Sequence, residues 1–409
     1  MEILSLHPDP QKLPSSKIKP IKYRQSKTID PQTIAKYLIY RPKNLRTTYS
    51  PLSNHDYKPQ SIKKPSKIFK TQDVISRASY SLDNRTAFQN AYFSSMVKSL
   101  SASLSSFELE EWDQINEERS KVISKSLASL KNLRDIDIQF YFCQFPAPND
   151  LHSLFKRLSY FKKMDQLTFA TLQCYSFEPR HLNALCSSLI RSTQLQSLDL
   201  TFDGDDQLLN TLIPVLSRLT SLKKICLNLE GENQIQAETI IKLFMALSTR
   251  KSLIDITLLM YSCEIACENT SLEPFAEGLQ YLNPSSITKL SLHLFQNLTS
   301  EGLTKISQAL SKFTSLEKLR IDVPDSPEIT NKGLAQLSAT LKGLISLTSL
   351  TLSFSGFTDD LALALKSLSK LIHLKLSFQH PHPSRDQIRQ LSSSITALKA
   401  SLKFLDIRV

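Results

Sequence analysis

The chain of 409 residues has little glycine and no long apolar run. It contains seven glycines, and the first of them is Gly204. Glycine-rich phosphate-binding loops, of the Gly-x-Gly-x-x-Gly or P-loop kind, are therefore absent. No stretch of about 18 apolar residues occurs, which excludes a membrane-spanning helix. The segment from Met1 to Pro8 lacks the basic-then-apolar order of a secretory signal peptide. We therefore expect a cytoplasmic location, at the cytoskeleton or a cilium in one variant, with the nucleus as an alternative.

Cysteine and histidine are few and scattered. The six cysteines have irregular spacing, which indicates reduced thiols and not a disulfide framework. Three groups have suggestive spacing: Cys263 with Cys267, His380 with His382, and His181 with Cys174 and Cys186. Tetrahedral zinc needs four ligands, and the first pair has no further His or Cys in the neighbouring turn. The third group falls on a predicted helix and the loop before it, where packing explains it. We predict no metal, no cofactor and no enzymatic activity.

An eight-residue pattern recurs ten times between Leu133 and Val409. In the copy from Leu347 to Phe354, apolar residues occupy positions 1, 4, 6 and 8, with small polar residues between them. This alternation predicts a short strand with one buried face. The copies begin at Leu133, Met164, Leu195, Leu222, Leu253, Ile287, Leu316, Leu347, Leu371 and Leu402. Between the copies, apolar residues such as Leu303, Ile306 and Leu310 recur at helical spacing. Pro179 is placed to begin one of these helices, and Thr299 or Ser300 is placed to cap another.

Each unit is a strand followed by a helix, and stacked units bury the apolar sides that one unit alone would expose. The L-x-x-L-x-L pattern resembles the leucine-rich repeat family, in its ribonuclease-inhibitor-like subclass. The resemblance implies an α/β solenoid, a horseshoe with a parallel inner sheet and outer helices. The sequence departs from the family in lacking Asn or Cys three residues after position 6. Position 8 is apolar in nine of the ten copies instead. We therefore expect a longer strand and turns held by packing.

Charge and proline divide the chain into three parts. Residues 1–80 contain 16 basic and 5 acidic residues and 9 of the 19 prolines, which predicts a disordered basic arm. Residues 84–131 carry apolar stripes, including Leu109, Trp112 and Ile115, that predict a helical N-terminal cap or, alternatively, a partner-binding helix hairpin. Residues 132–409 form the repeat domain. Everything after residue 80 is nearly neutral, with 34 basic and 33 acidic residues.

The basic arm is either a solvated tail or a segment that docks on an acidic partner. That partner is a cytoskeletal polymer, a nucleic acid or an anionic lipid. The residues expected to make this contact are Lys17, Lys19, Lys22, Arg24, Lys63, Lys64, Lys67 and Lys70.

The concave face of the predicted sheet is the second candidate surface. Side chains at positions 3, 5 and 7 point away from the core, and they change from acidic in early repeats to basic in later ones. The candidate partner-binding residues are Asp135, Asp137, Asp199, Lys289, Lys318, Arg320, His373, Lys375 and Arg408. The face is either a solvated surface or a groove that holds a protein.

These observations favour a non-enzymatic scaffold or adaptor, with a protein on the concave face and an acidic surface on the arm. A nucleic-acid-associated factor acting through the arm is one alternative. A regulator of an enzyme, either an inhibitor or a GTPase activator as known for the family, is another. The last strand has a free edge, which Asp406 and Arg408 blunt or which pairs with another chain. The oligomeric state stays open.

Overall fold

The computed structural model describes most of the chain from Arg77 onward. The described residues are 77–82, 97, 104–111, 115–145, 151–172, 174, 177–203, 205–230, 234–260, 264–266, 273–294, 298–323, 326, 328–354, 356–378 and 384–408. The eight tether residues of the arm lie outside them. So do Trp112, Cys263, Cys267, His380 and His382.

Twelve strands form one sheet in which every neighbouring pair is parallel. They are β1 (Arg77–Leu82), β2 (Ser106–Glu111), β3 (Asp135–Tyr141), β4 (Gln166–Leu172), β5 (Ser197–Asp203), β6 (Lys224–Glu230), β8 (Asp255–Met260), β10 (Lys289–Leu294), β11 (Lys318–Asp322), β12 (Ser349–Phe354), β13 (His373–Phe378) and β14 (Phe404–Arg408). Their order in the sheet is their order in the chain. Two short strands, β7 (Gln234–Gln236) and β9 (Glu264–Ala266), form a separate parallel pair.

Ten helices alternate with these strands in the part of the chain that the structure describes. They are α1 (Glu117–Leu127), α2 (His152–Leu158), α3 (Pro179–Leu189), α4 (Asp206–Leu216), α5 (Ala237–Ser248), α6 (Glu273–Tyr281), α7 (Ser300–Leu310), α8 (Asn331–Gly343), α9 (Asp359–Ser367) and α10 (Arg385–Ala397). The predicted helix starts are confirmed at two of them. Pro179 occupies the first turn of α3, and the Thr299 side chain accepts a hydrogen bond from Gly302 N at the start of α7.

The register aligns equivalent repeat positions across the sheet. Leu350 of β12 pairs with Leu319 on one side and Leu374 on the other, and all three are position 4. Leu350 and Leu374 are fully buried, and Leu319 is nearly so, because the helices cover this face of the sheet. Each strand thus adds one rung to a continuous apolar core. The α/β repeat architecture with a parallel sheet, predicted from the ten copies, is confirmed.

The sheet begins earlier than the sequence pattern indicated. Residues 106–111, predicted as helix, form β2, and residues 77–80, predicted as part of the disordered arm, lie in β1. In β2, Phe107, Leu109 and Glu111 alternate with half-buried residues and are themselves buried. Glu111 takes position 8, where most copies hold an apolar residue, and its carboxylate lies 2.8 Å from the Arg119 guanidinium. This ion pair makes a buried carboxylate acceptable in the strand.

A ladder of shared carbonyls holds the strands in register where they begin. The carbonyl oxygen of Glu317, at position 2, accepts hydrogen bonds from Thr348 N at 2.8 Å and Ser349 N at 3.0 Å. The same two-donor arrangement recurs at every step of the sheet from Ser105 to Ile372, where the donors are Lys403 and Phe404. Because these hydrogen bonds use only backbone atoms, they do not depend on the side chains of the residues just before each strand.

Thiols connect the early units where the strands end. The Cys143 thiol donates to the Glu111 carbonyl at 3.4 Å, and the Cys174 thiol donates to the Phe140 carbonyl at 3.4 Å. Both cysteines occupy position 11 of their repeats, two residues beyond the place that the family pattern suggests. The expectation of turns held by packing alone was therefore wrong for these units. Because the strand is longer by one residue pair, the cysteine that bonds to the preceding unit lies two positions later than in the family pattern.

Helices α5 and α6 approach closely at Gly278, and this contact generates a stability prediction. A Cβ placed on Gly278 would lie 2.2 Å from Phe244 Cδ2, whereas one on Gly343, at the end of α8, meets nothing within 4 Å. We expect Gly278→Ala to lower the free energy of unfolding by about 1–3 kcal/mol through overpacking. Gly343→Ala should leave it unchanged or raise it by up to about 1 kcal/mol. Urea denaturation of both variants measures this, and equal midpoints would contradict the packing argument.

Candidate interaction surface

The face of the sheet opposite the helices carries repeat positions 3, 5 and 7, and we call it the open face. Its side chains are mostly half-buried or exposed, in alternation with the buried positions 4 and 6. Because the strands are in register, equivalent positions form rows across the sheet at a spacing of about 4.8 Å. The position 5 row is Glu108, Asp137, Thr168, Asp199, Cys226, Thr257, Ser291, Arg320, Thr351, Lys375 and Asp406. All nine candidate residues named from the sequence lie on this face.

The first strands make one end of the open face acidic. Glu108 of β2 pairs in register with Asp137 of β3, and Asp135 lies two residues before Asp137 on the same face. Gln139 donates to the Asp137 carboxylate at 2.9 Å and fixes its orientation. Sequence reasoning missed Glu108 and its neighbour Glu110, because the segment was assigned to a helix. The period-two alternation of Phe107 and Leu109 with Ser106, Glu108 and Glu110 was the available signal.

Asp199, also on the open face, has a carboxyl whose pKa is raised above its usual range. Burial raises the pKa of its carboxyl, while a hydrogen bond from the Cys226 thiol and the nearby Lys224 ammonium oppose that rise. Burial and the neighbouring Asp199 raise the pKa of Cys226 to about 12, so this thiol stays protonated at neutral pH. A protonated thiol is not a nucleophile, and Cys226 acts here as a hydrogen-bond donor to Asp199.

The later strands carry the predicted cations, but carboxylates neutralise several of them. The ion pairs are Lys289 with Asp255 at 3.8 Å, Arg320 with Asp322 at 2.6 Å, Lys375 with Asp406 at 3.7 Å, and Arg408 with Asp406 at 3.3 Å. Among the described residues, Lys318 and His373 have no ion-pair partner, and both are exposed. Sequence reasoning left out the three carboxylates, although Asp322 and Asp406 stand two residues from a basic residue on the same face of a strand. The change from acidic to basic is therefore shallower than predicted.

His293 lies on the open face of β10 yet is almost fully buried. Its Nδ1 is 3.1 Å from the Asp322 carboxylate, which also accepts hydrogen bonds from the Arg320 guanidinium. Burial, and then the positive charge of Arg320, lower the pKa of His293 to about 4, against the opposing effect of Asp322. The imidazole is therefore neutral at physiological pH and donates to Asp322.

The thiol and imidazole groups considered as a catalytic pair have separate structural roles. His181 Nδ1 accepts a hydrogen bond from Glu178 N at 3.0 Å in a capping box, and its ring stacks on Phe177. Burial raises the pKa of Cys186 to about 12. The Cys174 thiol donates to the Phe140 carbonyl, as described above. Each group is thus committed to a different contact.

Two negative findings concern the part of the chain that the structure describes. Within it, no three His, Cys, Asp or Glu side chains come together in a way that could hold a metal ion. No helix among the described residues is both long and apolar enough to cross a bilayer.

The last strand leaves apolar side chains exposed. Phe404 is 50% exposed and Leu405 is 45% exposed, whereas the residue equivalent to Leu405 in β13, Leu374, is fully buried. Asp406 and Arg408 form an ion pair with each other on this strand. Both interpretations of the free edge, blunting by charge and pairing with another chain, stay predictions.

Comparison with known proteins returns a likeness of architecture alone. No protein-family model matches the sequence, and no curated protein sequence matches it. One similar solved structure is that of "Leiomodin-1 Actin-Binding Site 2 (ABS2)". The similarity covers 48% of this chain and 91% of that chain, at 14% identity and a TM-score of 0.28. A likeness of this size does not bear on function, so the class of protein rests on its own strands and helices: an α/β repeat solenoid.

The buried imidazole of His293 predicts a pH-dependent stability. Because its pKa is about 4 in the folded state and near 6.5 when unfolded, the unfolded state takes up the proton first as pH falls. The contribution of His293 to the free energy of unfolding is therefore fully present above pH 6.5. It decreases towards pH 4, by on the order of 2 kcal/mol at pH 5. We expect His293→Gln to reduce this loss, because the amide still donates to Asp322 and does not titrate. Urea midpoints between pH 7 and pH 5 test it.

His373→Gln is the matched control, since the His373 side chain is exposed. An acid loss in His293→Gln as large as that in His373→Gln would refute the assignment of a neutral buried imidazole.

Proposed function

We propose that the chain is a leucine-rich repeat protein of the ribonuclease-inhibitor-like subclass. Its support is the ten-fold L-x-x-L-x-L pattern and the full helix in most units. The thiols of Cys143 and Cys174 add to this support. Each donates to the backbone of the preceding unit, as expected of the Asn or Cys in the family pattern. Cys263 and Asn297 occupy the same repeat position in the sequence.

We further propose a non-enzymatic scaffold or adaptor whose open face binds a protein. The observation that carries this proposal is the set of in-register rows of half-exposed polar side chains on the open face. Their order is set by the backbone ladder, so a partner meets a preorganised surface at little entropic cost. The acidic first strands and the cation Lys318 of β11, which is unpaired among the described residues, favour one orientation of the partner, with basic groups near Asp137 and acidic groups near Lys318.

The basic arm is the second part of the proposal. Eight of its lysine and arginine residues, from Lys17 to Lys70, tether the protein to an acidic surface, and a cytoskeletal polymer in the cytoplasm is the leading choice. The arm carries most of the net charge of +12, and such charge speeds association with a polyanion.

Blocking the open face tests the first part. The triple variant Thr168→Arg, Thr257→Arg and Thr351→Arg places bulky side chains on half-buried positions of the position 5 row. Proximity labelling in cells would identify proteins near the wild-type chain, and those that bind the purified chain directly would be measured by titration. We expect the blocked variant to bind a true open-face partner at least about tenfold more weakly, because the new side chains prevent close contact.

The control variant carries Asn183→Arg, Gln308→Arg and Thr396→Arg on exposed helix positions. It adds the same charge and should bind as the wild type does. If every direct partner binds the blocked and control variants equally well, the open face is not the binding surface.

Neutralising the arm tests the second part. We expect substitution of its eight tether residues by Gln to weaken binding to microtubules by at least about tenfold at low salt, with a shallower salt dependence. Titrations against RNA and DNA run in parallel. A steep salt slope with nucleic acid and none with microtubules would replace the cytoskeletal proposal by the nucleic-acid alternative. Unchanged binding to all three would refute the tether.

A further inference from the structure

The two kinds of connection between strands and helices differ in charge. The ten connections that lead from a helix to the next strand of the main sheet lie at one edge, because all these strands are parallel. We call it the basic edge; it comprises residues 128–134, 159–165, 190–196, 217–223, 249–254, 282–288, 311–317, 344–348, 368–372 and 398–403. It holds thirteen cations: Lys131, Arg134, Lys162, Lys163, Arg191, Arg218, Lys223, Arg250, Lys251, Lys312, Lys370, Lys399 and Lys403. Its acidic residues are two, Asp165 and Glu317.

The connections that lead from strand to helix have the opposite composition. By sequence, from β2 to α1 and onward to the connection before α10, they contain no Lys or Arg. Their acidic residues are Asp113, Asp150, Glu178, Asp205, Glu232, Glu264, Glu268, Asp325 and Glu328. An even distribution of 34 basic and 33 acidic residues would not produce this division.

The cations of the basic edge are available to a ligand. Twelve of the thirteen are exposed, and Arg250 is half-buried. Arg134 forms an ion pair with Asp165 at 3.3 Å. Among the described residues, the other twelve cations have no ion-pair partner.

Helix dipoles account for only some of these charges. A cation in the last turn of a helix is stabilised by the helix C-terminus, and the effect fades beyond that turn. Arg134, Lys223 and Lys403 lie immediately before their strands, at position 2, where the structural work is done by the backbone carbonyl ladder. Apart from the ion pair of Arg134 with Asp165, these three side chains form no ion pair among the described residues.

Exposed apolar side chains accompany the cations. Tyr160 is 58% exposed, Ile190 36%, Ile254 39% and Ile345 60%, and all four lie in connections of the basic edge. Two connections lack a cation, 282–288 and 344–348. The first follows the exposed Tyr281 directly, and the second contains Ile345. The edge is therefore a strip of cations interspersed with single large apolar residues.

We propose that the basic edge binds the surface of an anionic lipid bilayer. The ammonium and guanidinium groups contact the headgroups, and the isoleucine and tyrosine side chains enter the boundary between headgroups and acyl chains. Nine of the thirteen cations are lysine. Lysines interspersed with single large apolar residues are typical of segments that lie at a bilayer surface. Isoleucine side chains cannot hydrogen-bond to phosphate or sugar, which receive most protein hydrogen bonds to nucleic acid, so the exposed isoleucines favour lipid over RNA and DNA. This surface is distinct from the open face and from the arm.

The test compares two charge-reversal variants of the full chain. The edge variant carries Arg218→Glu, Lys223→Glu and Lys251→Glu, which are exposed and make no ion pair among the described residues. The control variant carries Lys242→Glu, Lys332→Glu and Arg385→Glu on exposed helix positions, with the same change in net charge. Both retain the basic arm. Sedimentation with phosphatidylcholine vesicles containing phosphatidylserine gives the affinity, and thermal melts check folding. We expect the edge variant to bind at least about tenfold more weakly than the control.

Hydrogen–deuterium exchange of the wild-type chain provides a readout that the arm does not mask. On addition of the same vesicles, we expect slower exchange in residues 249–254 and 344–348. Protection confined to residues before 77, or to the strand-to-helix connections, would overturn the proposal, as would equal vesicle binding by the two charge variants.

Substitution of the exposed isoleucines distinguishes a lipid ligand from a nucleic-acid ligand. We expect Ile254→Ser with Ile345→Ser to weaken vesicle binding at least about threefold, because the inserted apolar area is lost. Binding to RNA should not change. If the edge variant loses RNA binding while the isoleucine variant binds vesicles normally, the edge is a nucleic-acid surface and the lipid proposal is wrong.

Discussion

Alignment of the parallel strands through shared backbone carbonyls is the constraint on which the rest of this structure depends. At each step, one carbonyl at position 2 receives two amide hydrogens from the next unit, as Glu317 does from Thr348 and Ser349. A slip of one residue would move each strand's leucines to the opposite face. With the register held, leucines meet leucines in the core, polar side chains form rows on the open face, and connections of one kind gather at one edge. Both candidate surfaces are products of this alignment.

The repeat region was readable from sequence because each unit obeys the same local rules. Leu350 and Leu352 occupy positions 4 and 6, which are apolar in all ten copies. A repeat position that is always apolar is readily assigned to the buried face of a strand. The N-terminal unit was not readable in this way. In β2 the place of a core residue is taken by Glu111, and the Arg119 side chain that compensates it lies one element later. A buried ion pair depends on a tertiary contact between two elements, so a pattern of apolar residues does not predict it.

The candidate surfaces show the same limit. Strand period alone assigned all nine predicted residues to the open face, because the side chains of a strand alternate. Which of those charges remain available depends on neighbours in other strands, as with Lys289 and Asp255, which are 34 residues apart in the chain. The basic edge was concealed for another reason. Net charge averages over the domain, so 34 basic and 33 acidic residues appeared to be a neutral body until the topology assigned each connection to an edge.

The stacking of units also has a mechanical meaning. Each helix and strand of the array packs against the units before and after it, so tension between the two ends loads every interface in series. The interface with the least buried surface then sets the force at which the array opens. With Phe404 and Leu405 half exposed, β14 buries less of its apolar side chains than a central strand such as β12, so we expect it to separate from the array before β12 does.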